Sequence, residues 1–462
     1  MSTTPLPLTA FKECDLRGEN QRDVTPELAY RLGRAMGTIS PIKRAVIGGD
    51  FRLSTPELLA SLEQGFIESG LHVVNLGQLS TPGYYFARRK LGIDTGVMVT
   101  ASHSPPGWNG FKPTVGHYPI TPTEIENLKH IVANQEFSNG TGSRESLNIL
   151  PDYVAWLTQR FAGIGQRASK LVFDCGGGAT GWVISAVVDS LHIPAGILFG
   201  TPDPHFTQRS PDISGPKDLA SLQSEVPKQG AQAGFGFDGD GDRVGLVDER
   251  GQRVSSDRLI AWLAGELLQR NESSAVIYDL KLSRLVAEMV SAHKGTPIPQ
   301  KSGHTFIKTS MLQHDAIMGG EYSGHLFYRE LAGGDDGLYS ALLMTQLMQE
   351  YKQPISELIA RMPIYTSTPD IRIHYTGDKS PLIHKAAQQA EQDGATLVTI
   401  DGVKAEYAEG WALMRASVTE AAFTLRFEGR TTADMLSVAE RFLKGAPDIA
   451  EGVIAQIRRH IE

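Results

Sequence analysis

The chain has 462 residues, 41% of them apolar and 21% charged, with a formal net charge of −8 and two cysteines. That length exceeds a single hydrophobic core and predicts about three or more domains. The negative balance excludes nonspecific nucleic-acid binding, which needs many cations, and no apolar run reaches the roughly 18 residues of a membrane span. The start, MSTTPLPLTAFKE, has no basic stretch leading into an apolar run, so a cytoplasmic location is expected. Cys14 and Cys175 are too far apart in sequence to suggest a disulfide framework or a metal-ligand pair. An anionic ligand would need cations gathered from separate parts of the chain.

In chain order, the first unit opens at Ala45 with a buried strand, then a helix with Ser54 or Thr55 as cap and Pro56 in its first turn. Leu58, Leu59, Leu62 and Phe66 keep helical spacing, Gly70 stops the helix, and HVVNLG reads as the next strand. The pattern recurs from Leu171 and from Ala275, about a hundred residues apart. Each copy ends its first strand on an acid: Asp50, Asp174 or Asp279. Three similar α/β domains with mixed, mainly parallel sheets are therefore predicted over 1–150, 151–252 and 253–364. After 365 the pattern changes to strands around DIRIHY and FTLRFE and helices near 381–392 and 431–443, a divergent α+β domain over 365–462. Ligands of such sheets sit at the carboxyl ends of strands, so the chemistry is expected in loops facing a shared central cleft.

Four loops carry the candidates. GVMVTASHSPPGWNGFKP presents Ser102 as a nucleophile or phosphate carrier with Lys112 nearby, outside any G-x-S-x-G frame. GFGFDGDGDRVGLVD alternates Asp238, Asp240 and Asp242 with glycines, a density of carboxylates that calls for a hard divalent cation. The spacing to Glu249 imitates a calcium-binding EF-hand, but Arg243 stands where glycine is required and the flanks read as strands. Arg243 suits a phosphoryl group instead. GGEYSGHLFYRE offers Glu321, Ser323 and His325 to sugar hydroxyls, and RASVTEAAFTLRFE offers Arg415, Ser417 and Thr419 to a phosphate. GGGATG at 176–181 lacks the lysine of a P-loop and reads as a tight strand-to-helix turn.

In this order, with FKECDLRG and KSGHTFIK, these segments resemble the α-D-phosphohexomutase family, in its phosphomannomutase/phosphoglucomutase branch. The resemblance covers nearly the whole chain. It implies four domains around a central cleft, three homologous and one divergent. It further implies that Ser102 is a phosphoserine and that Asp238, Asp240 and Asp242 hold one Mg²⁺, which also touches the Ser102 phosphate. Arg243 and Lys281 would line the cleft, with Arg17, Lys112 and His304 as candidates for proton transfer. Glu321, Ser323 and His325 would meet the sugar, and Arg415, Ser417 and Thr419 the phosphate not being transferred. The implied reaction interconverts hexose 1-phosphate and hexose 6-phosphate, of mannose and/or glucose, through a hexose 1,6-bisphosphate that also serves as activator. Tyr322 in GEYSGH favours the mannose and glucose enzymes over glucosamine mutases. Four departures stand out: Cys14 for an aromatic residue, Ser104 for an asparagine, Val418 for a small or polar residue and Ala421 for a proline. A noncatalytic sugar-phosphate binder would have lost the serine or a metal carboxylate, and both are present.

Overall fold

The computed structural model describes residues 6, 8–167, 169–215, 217–416 and 421–461. Three mixed sheets share one strand plan. In the first, Arg44–Gly49 lies between His72–Gln78 and Gly96–Val99, all parallel, and Trp108–Thr114 adds antiparallel to Gly96–Val99. In the second, Leu171–Asp174 lies between Ala195–Leu198 and Ala233–Phe237, with Val244–Asp248 antiparallel to the last. In the third, Ala275–Asp279 lies between Thr296–Gln300 and Met318–Gly320, with Leu326–Tyr328 antiparallel.

This common plan positions the site. The Ser102 loop, the aspartate loop and the Glu321 loop each connect the third parallel strand to the antiparallel one, so they are topologically equivalent. Three loops that look unrelated in sequence thus project from the same edge of three similar sheets.

The predicted helix is Thr55–Glu68, with Leu58, Leu62 and Phe66 buried and Gly70 at φ +86° just beyond its end. Ser54 occupies the N-cap position but its side chain makes no cap; its Oγ accepts instead from Asn109 Nδ2 at 2.8 Å, tying the helix to the Ser102 loop. GGGATG is the expected tight turn: Gly176 and Gly177 have φ of +59° and +69° before the helix Gly181–Leu191.

The fourth sheet is built from antiparallel pairs. Gly410–Ala416 and Ala422–Gly429 form its central hairpin, flanked by Val403–Glu406 on one side and by Thr366–Ser367 and Ile371–His374 on the other. Helices Ser380–Gln392, Thr432–Leu443 and Pro447–Ile461 accompany it. Its core is its own, built on Leu425, Phe427, Phe442 and Val453. By contrast, a single apolar cluster runs through the first three sheets, from Val46 and Tyr84 through Phe173 and Phe235 to Tyr339 and Leu342. No helix among the described residues is long and apolar enough to cross a membrane.

Candidate active site

Ser102 is buried, and its backbone is left-handed at φ +49°, a conformation that costs a non-glycine residue about 1–2 kcal/mol. Its Oγ donates to Asp238 Oδ2 at 2.8 Å, and its amide donates to Thr100 Oγ1 at 2.9 Å. The loop is clamped from below by Arg52, which is 1% exposed. That guanidinium donates to the carbonyls of Ser102, Ser104, Pro105 and Trp108 at 2.6–3.0 Å and pairs with Asp50 at 3.2 Å. Asp50 in turn accepts from Thr55 and Thr100. Five hydrogen-bonding partners thus fix the strained turn from beneath and leave its hydroxyl toward the aspartates. The Ser104 departure is absorbed here, because it is the backbone carbonyl that Arg52 uses.

The aspartate loop meets Ser102 through a glycine. A Cβ on Gly239 would lie 2.5 Å from the Ser102 carbonyl oxygen, and Gly241 has φ +82°, so both glycines are required by the close approach and the turn. Asp238, Asp240 and Asp242 bring carboxylate oxygens within 4.8 Å of one another, all buried. Lys112 Nζ bridges Asp240 Oδ2 at 2.9 Å and Asp242 Oδ2 at 2.6 Å. Burial opposes charge on all of these groups. Lys112, Thr81 and their hydrogen bonds nevertheless hold Asp240 far below the usual carboxylate range, whereas burial and the neighbouring carboxylates push Asp238 and Asp242 up. The same two aspartates overcome burial to keep Lys112 protonated. Asp240 Oδ1 and Asp242 Oδ1 are buried with no hydrogen-bond partner. Unpartnered, converging carboxylate oxygens are the donor set of a hard divalent cation, and Mg²⁺ fits the residues present.

Arg243 leaves this loop toward the third domain. Its Nε donates to His325 Nε2 at 3.0 Å, and it stands 3.8 Å from Asp238 Oδ2. A guanidinium cannot accept, so in this bond His325 Nε2 is the acceptor and the proton lies on Nδ1, donating to Asp335 Oδ2 at 2.6 Å, while against burial and Arg243 the carboxylates of Asp242 and Asp335 push the ring up to about 9. Asp335, His325 and Arg243 therefore form a chain that aims the arginine. Glu321 accepts from Ser323 Oγ at 3.1 Å and from the Gly303 amide, which joins the Glu321 loop to KSGH.

Lys281, His304 and Arg415 line one cleft of about 730 Å³ together with Cys14, Asp370 and the segment 302–306. Arg17 sits on Leu16–Glu19 beside it and pairs with Asp15 at 2.8 Å. His304 opens the helix His304–His314, its ring 6.4 Å from that of His325, and burial pushes it down to about 3, so it is neutral at physiological pH. Lys281 pairs with Asp370 at 2.9 Å and Arg415 with Asp401 at 3.1 Å. Lys301 pairs with Glu13 across the cleft. Burial pushes the Cys14 thiol up to about 11. Ser417, Val418 and Thr419 lie outside the described residues; Ala421 just beyond them accepts from the Tyr375 amide at 2.7 Å.

Sequence reasoning missed Arg52, Asp335 and the work of the strand-end acids. Asp279 accepts from Ser302 Oγ, from the Lys281 amide and from the Tyr322 amide, holding three loops at once. Asp174 pairs at 2.9 Å with Arg209, which donates to the Phe237 carbonyl directly before Asp238. The recurring acid was visible; its partners were not.

Known proteins resemble this chain over nearly its whole length. The patterns of the phosphoglucomutase/phosphomannomutase α/β/α domains I, II and III match residues 8–139, 151–251 and 255–365, and that of the C-terminal domain matches 374–445. The chain belongs to the phosphoglucomutase/phosphomannomutase family. Among relatives of this mutase, a phosphomannomutase/phosphoglucomutase of Pseudomonas syringae is 36% identical, with 96% of this chain and 97% of that one covered. A phosphoglucomutase of Neisseria meningitidis is 35% identical over 94% of this chain and 95% of its own. The crystal structure of a family protein from Burkholderia thailandensis superposes with a TM-score of 0.89 at 32% identity, covering 96% of this chain and 98% of that one. The four-domain architecture expected from the sequence is the architecture of the family.

Proposed function

We propose that this mutase interconverts hexose 1-phosphate and hexose 6-phosphate, with mannose and glucose as the sugars, using Ser102 as the phosphate carrier and a hexose 1,6-bisphosphate as intermediate and activator. The observation that carries the reading is the hydrogen bond of 2.8 Å from Ser102 Oγ to Asp238, inside a buried cradle that also holds Lys112 and Arg243. Relatives named for glucose and for both sugars support the two substrates.

In each half-reaction a sugar hydroxyl attacks the phosphorus on Ser102. The bond to the sugar oxygen forms as the bond to Ser102 Oγ breaks, and the hydroxyl proton passes to a neutral base. His304 is one candidate, a weak base while burial holds it down at about 3 but one that lines the cleft uncharged, whereas Lys112 is pinned as a cation between two aspartates. Arg243, aimed by His325 and Asp335, neutralises charge on the moving group. Mg²⁺ held by Asp238, Asp240 and Asp242, and by the phosphate on Ser102, would supply further charge neutralisation. Glu321 and Ser323 bind sugar hydroxyls, and Lys281, Arg17, Arg415, Ser417 and Thr419 receive the distal phosphate. The bisphosphate then turns around so that its other phosphate returns to Ser102.

The test is conversion of mannose 1-phosphate and glucose 1-phosphate to the 6-phosphates, with Mg²⁺ and a trace of hexose 1,6-bisphosphate. Turnover of both sugars is expected. Failure of both with Ser102 shown to be phosphorylated would overturn the proposal.

A further inference from the structure

A second cavity, of about 310 Å³, lies where the second, third and fourth domains meet, and it shares no lining residue with the cleft. Its centre is Arg426, on the fourth-domain strand Ala422–Gly429 and 2% exposed. Among the described residues, only Nη2 of this guanidinium reaches acceptors, Asp257 at 3.4 Å and Ser367 at 3.5 Å; Nε and Nη1 are buried with no hydrogen-bond partner there. A buried cation with two unused donors is costly unless something accepts from it. The other two arginines in the wall are occupied: Arg253 donates to the carbonyls of Ile213 and Gly215, and Arg258 to those of Ile359, Met362 and Pro363. Those acceptors are neutral, so both positive charges remain.

Two further features point the same way. Helix Ser256–Leu268 begins at the cavity, and Ser255 at its N-cap makes no side-chain cap, so the positive end of a 13-residue helix faces the space. Two residues along the same strand, and so on the same face as Arg426, stands Glu428, 1% exposed, whose Oε1 accepts from Trp411 Nε1 at 2.7 Å and from the Arg284 amide at 3.1 Å, leaving Oε2 buried and unpartnered. The second carboxylate of the wall, Asp257, takes the Ser283 amide on Oδ1 and faces Arg426 with Oδ2. The wall therefore presents unused donors and an unused acceptor side by side. An oxyanion without a proton satisfies only the arginine; a phosphate that keeps a proton satisfies both, its P–O⁻ oxygens accepting from Arg426 and its P–OH donating to Glu428.

We propose that this cavity is a second phosphate site, separate from the catalytic cleft, in which Arg426 and Glu428 read the oxygen and the hydroxyl of one protonated phosphate. The Arg426 guanidinium carbon lies 4.0 Å from the ring centroid of Tyr322, in the Glu321 loop. Occupancy would thus join the fourth domain to the third directly behind the loop that meets the substrate.

The test is calorimetric titration of the full chain with inorganic phosphate and, separately, with sulfate, which carries no proton at neutral pH. Wild-type chain is expected to take one phosphate that is weakened about tenfold or more by Arg426→Met and by Ser255→Glu, a carboxylate placed on the exposed rim. Sulfate is expected to leave that site empty. Because Arg426 is buried, its replacement may be judged only if circular dichroism shows a native fold, whereas Ser255→Glu needs no core rearrangement. Unchanged phosphate binding in Ser255→Glu, or equal filling of the Ser255-dependent site by sulfate, would overturn the proposal. Displacement of that phosphate by glucose 6-phosphate would identify a substrate phosphoryl group as the occupant, and its persistence would identify free phosphate; both support the site.

Discussion

The surroundings of Ser102 and of Arg415 are built differently. Around Ser102, every polar group that acts is buried and held by several partners, and the three domains that supply them share one apolar core. Around Arg415, the ion pair to Asp401 holds the guanidinium among the described residues, and the domain beneath it has a core of its own. That fourth domain meets the third through polar contacts, such as Arg284 to the carbonyls of Tyr407 and Gly410, and a small apolar cluster of Leu280, Trp411 and Leu413. Under the proposed function, the Ser102 region would be preorganised for bond breaking, while the Arg415 region would adjust to either orientation of the sugar.

This contrast predicts that changes near Ser102 act on kcat and changes near Arg415 act on KM. Ser102→Ala and Ser102→Gly should each lower turnover by about 10⁴-fold or more, measured with glucose 1-phosphate. The glycine variant should be about 1 kcal/mol more stable than the alanine variant in denaturant unfolding, because φ +49° strains alanine and not glycine. Arg52→Met should cost about 3–5 kcal/mol of stability, since it strands Asp50 and four carbonyls, and should lower kcat in whatever fraction remains folded. Asp335→Asn should lower kcat about 10- to 100-fold with little change in KM, by releasing the His325 tautomer that aims Arg243. Arg415→Met should instead raise KM about 10-fold or more with a smaller loss of kcat. A kcat loss in Arg415→Met as deep as that in Asp335→Asn would erase the distinction between the two regions.

The smallest effect concerns pH. His304 titrates at about 3 when folded against 6.5 for a free histidine, so the unfolded chain takes up its proton first as pH falls. Its contribution is complete above pH 6.5 and is lost as pH drops from there toward 3. Thermal unfolding of His304→Gln should accordingly fall off less steeply over that window than wild type.

Much of this was legible in the chain itself. The three α/β units, Ser102, the three aspartates and Arg243 all stand out because strand patterns end in dense polar loops, and loops at strand ends carry chemistry. The equivalence of the three loops was not legible, since it depends on strand order rather than on residue type. Nor were Arg52 and Asp335: an arginine two residues after Asp50 reads as a surface charge until the fold encloses it. Helix Pro447–Ile461 did leave a signal, Ile449, Val453 and Ile457 four residues apart and buried, and that spacing would have found it. The strand Val403–Glu406 left little, being four residues long with a buried Lys404 that breaks the apolar pattern.

The recurring strand-end acids have one more consequence. Asp50, Asp174 and Asp279 differ in their partners, yet each anchors a loop to its own sheet, while the loops carry unlike cargo: Ser102, three aspartates, and Glu321 with Ser323. Anchorage and chemistry are thus written in different residues. A unit copied three times could keep the first intact while the second diverged, which is how one modest fold can furnish three specialised walls of a single chamber.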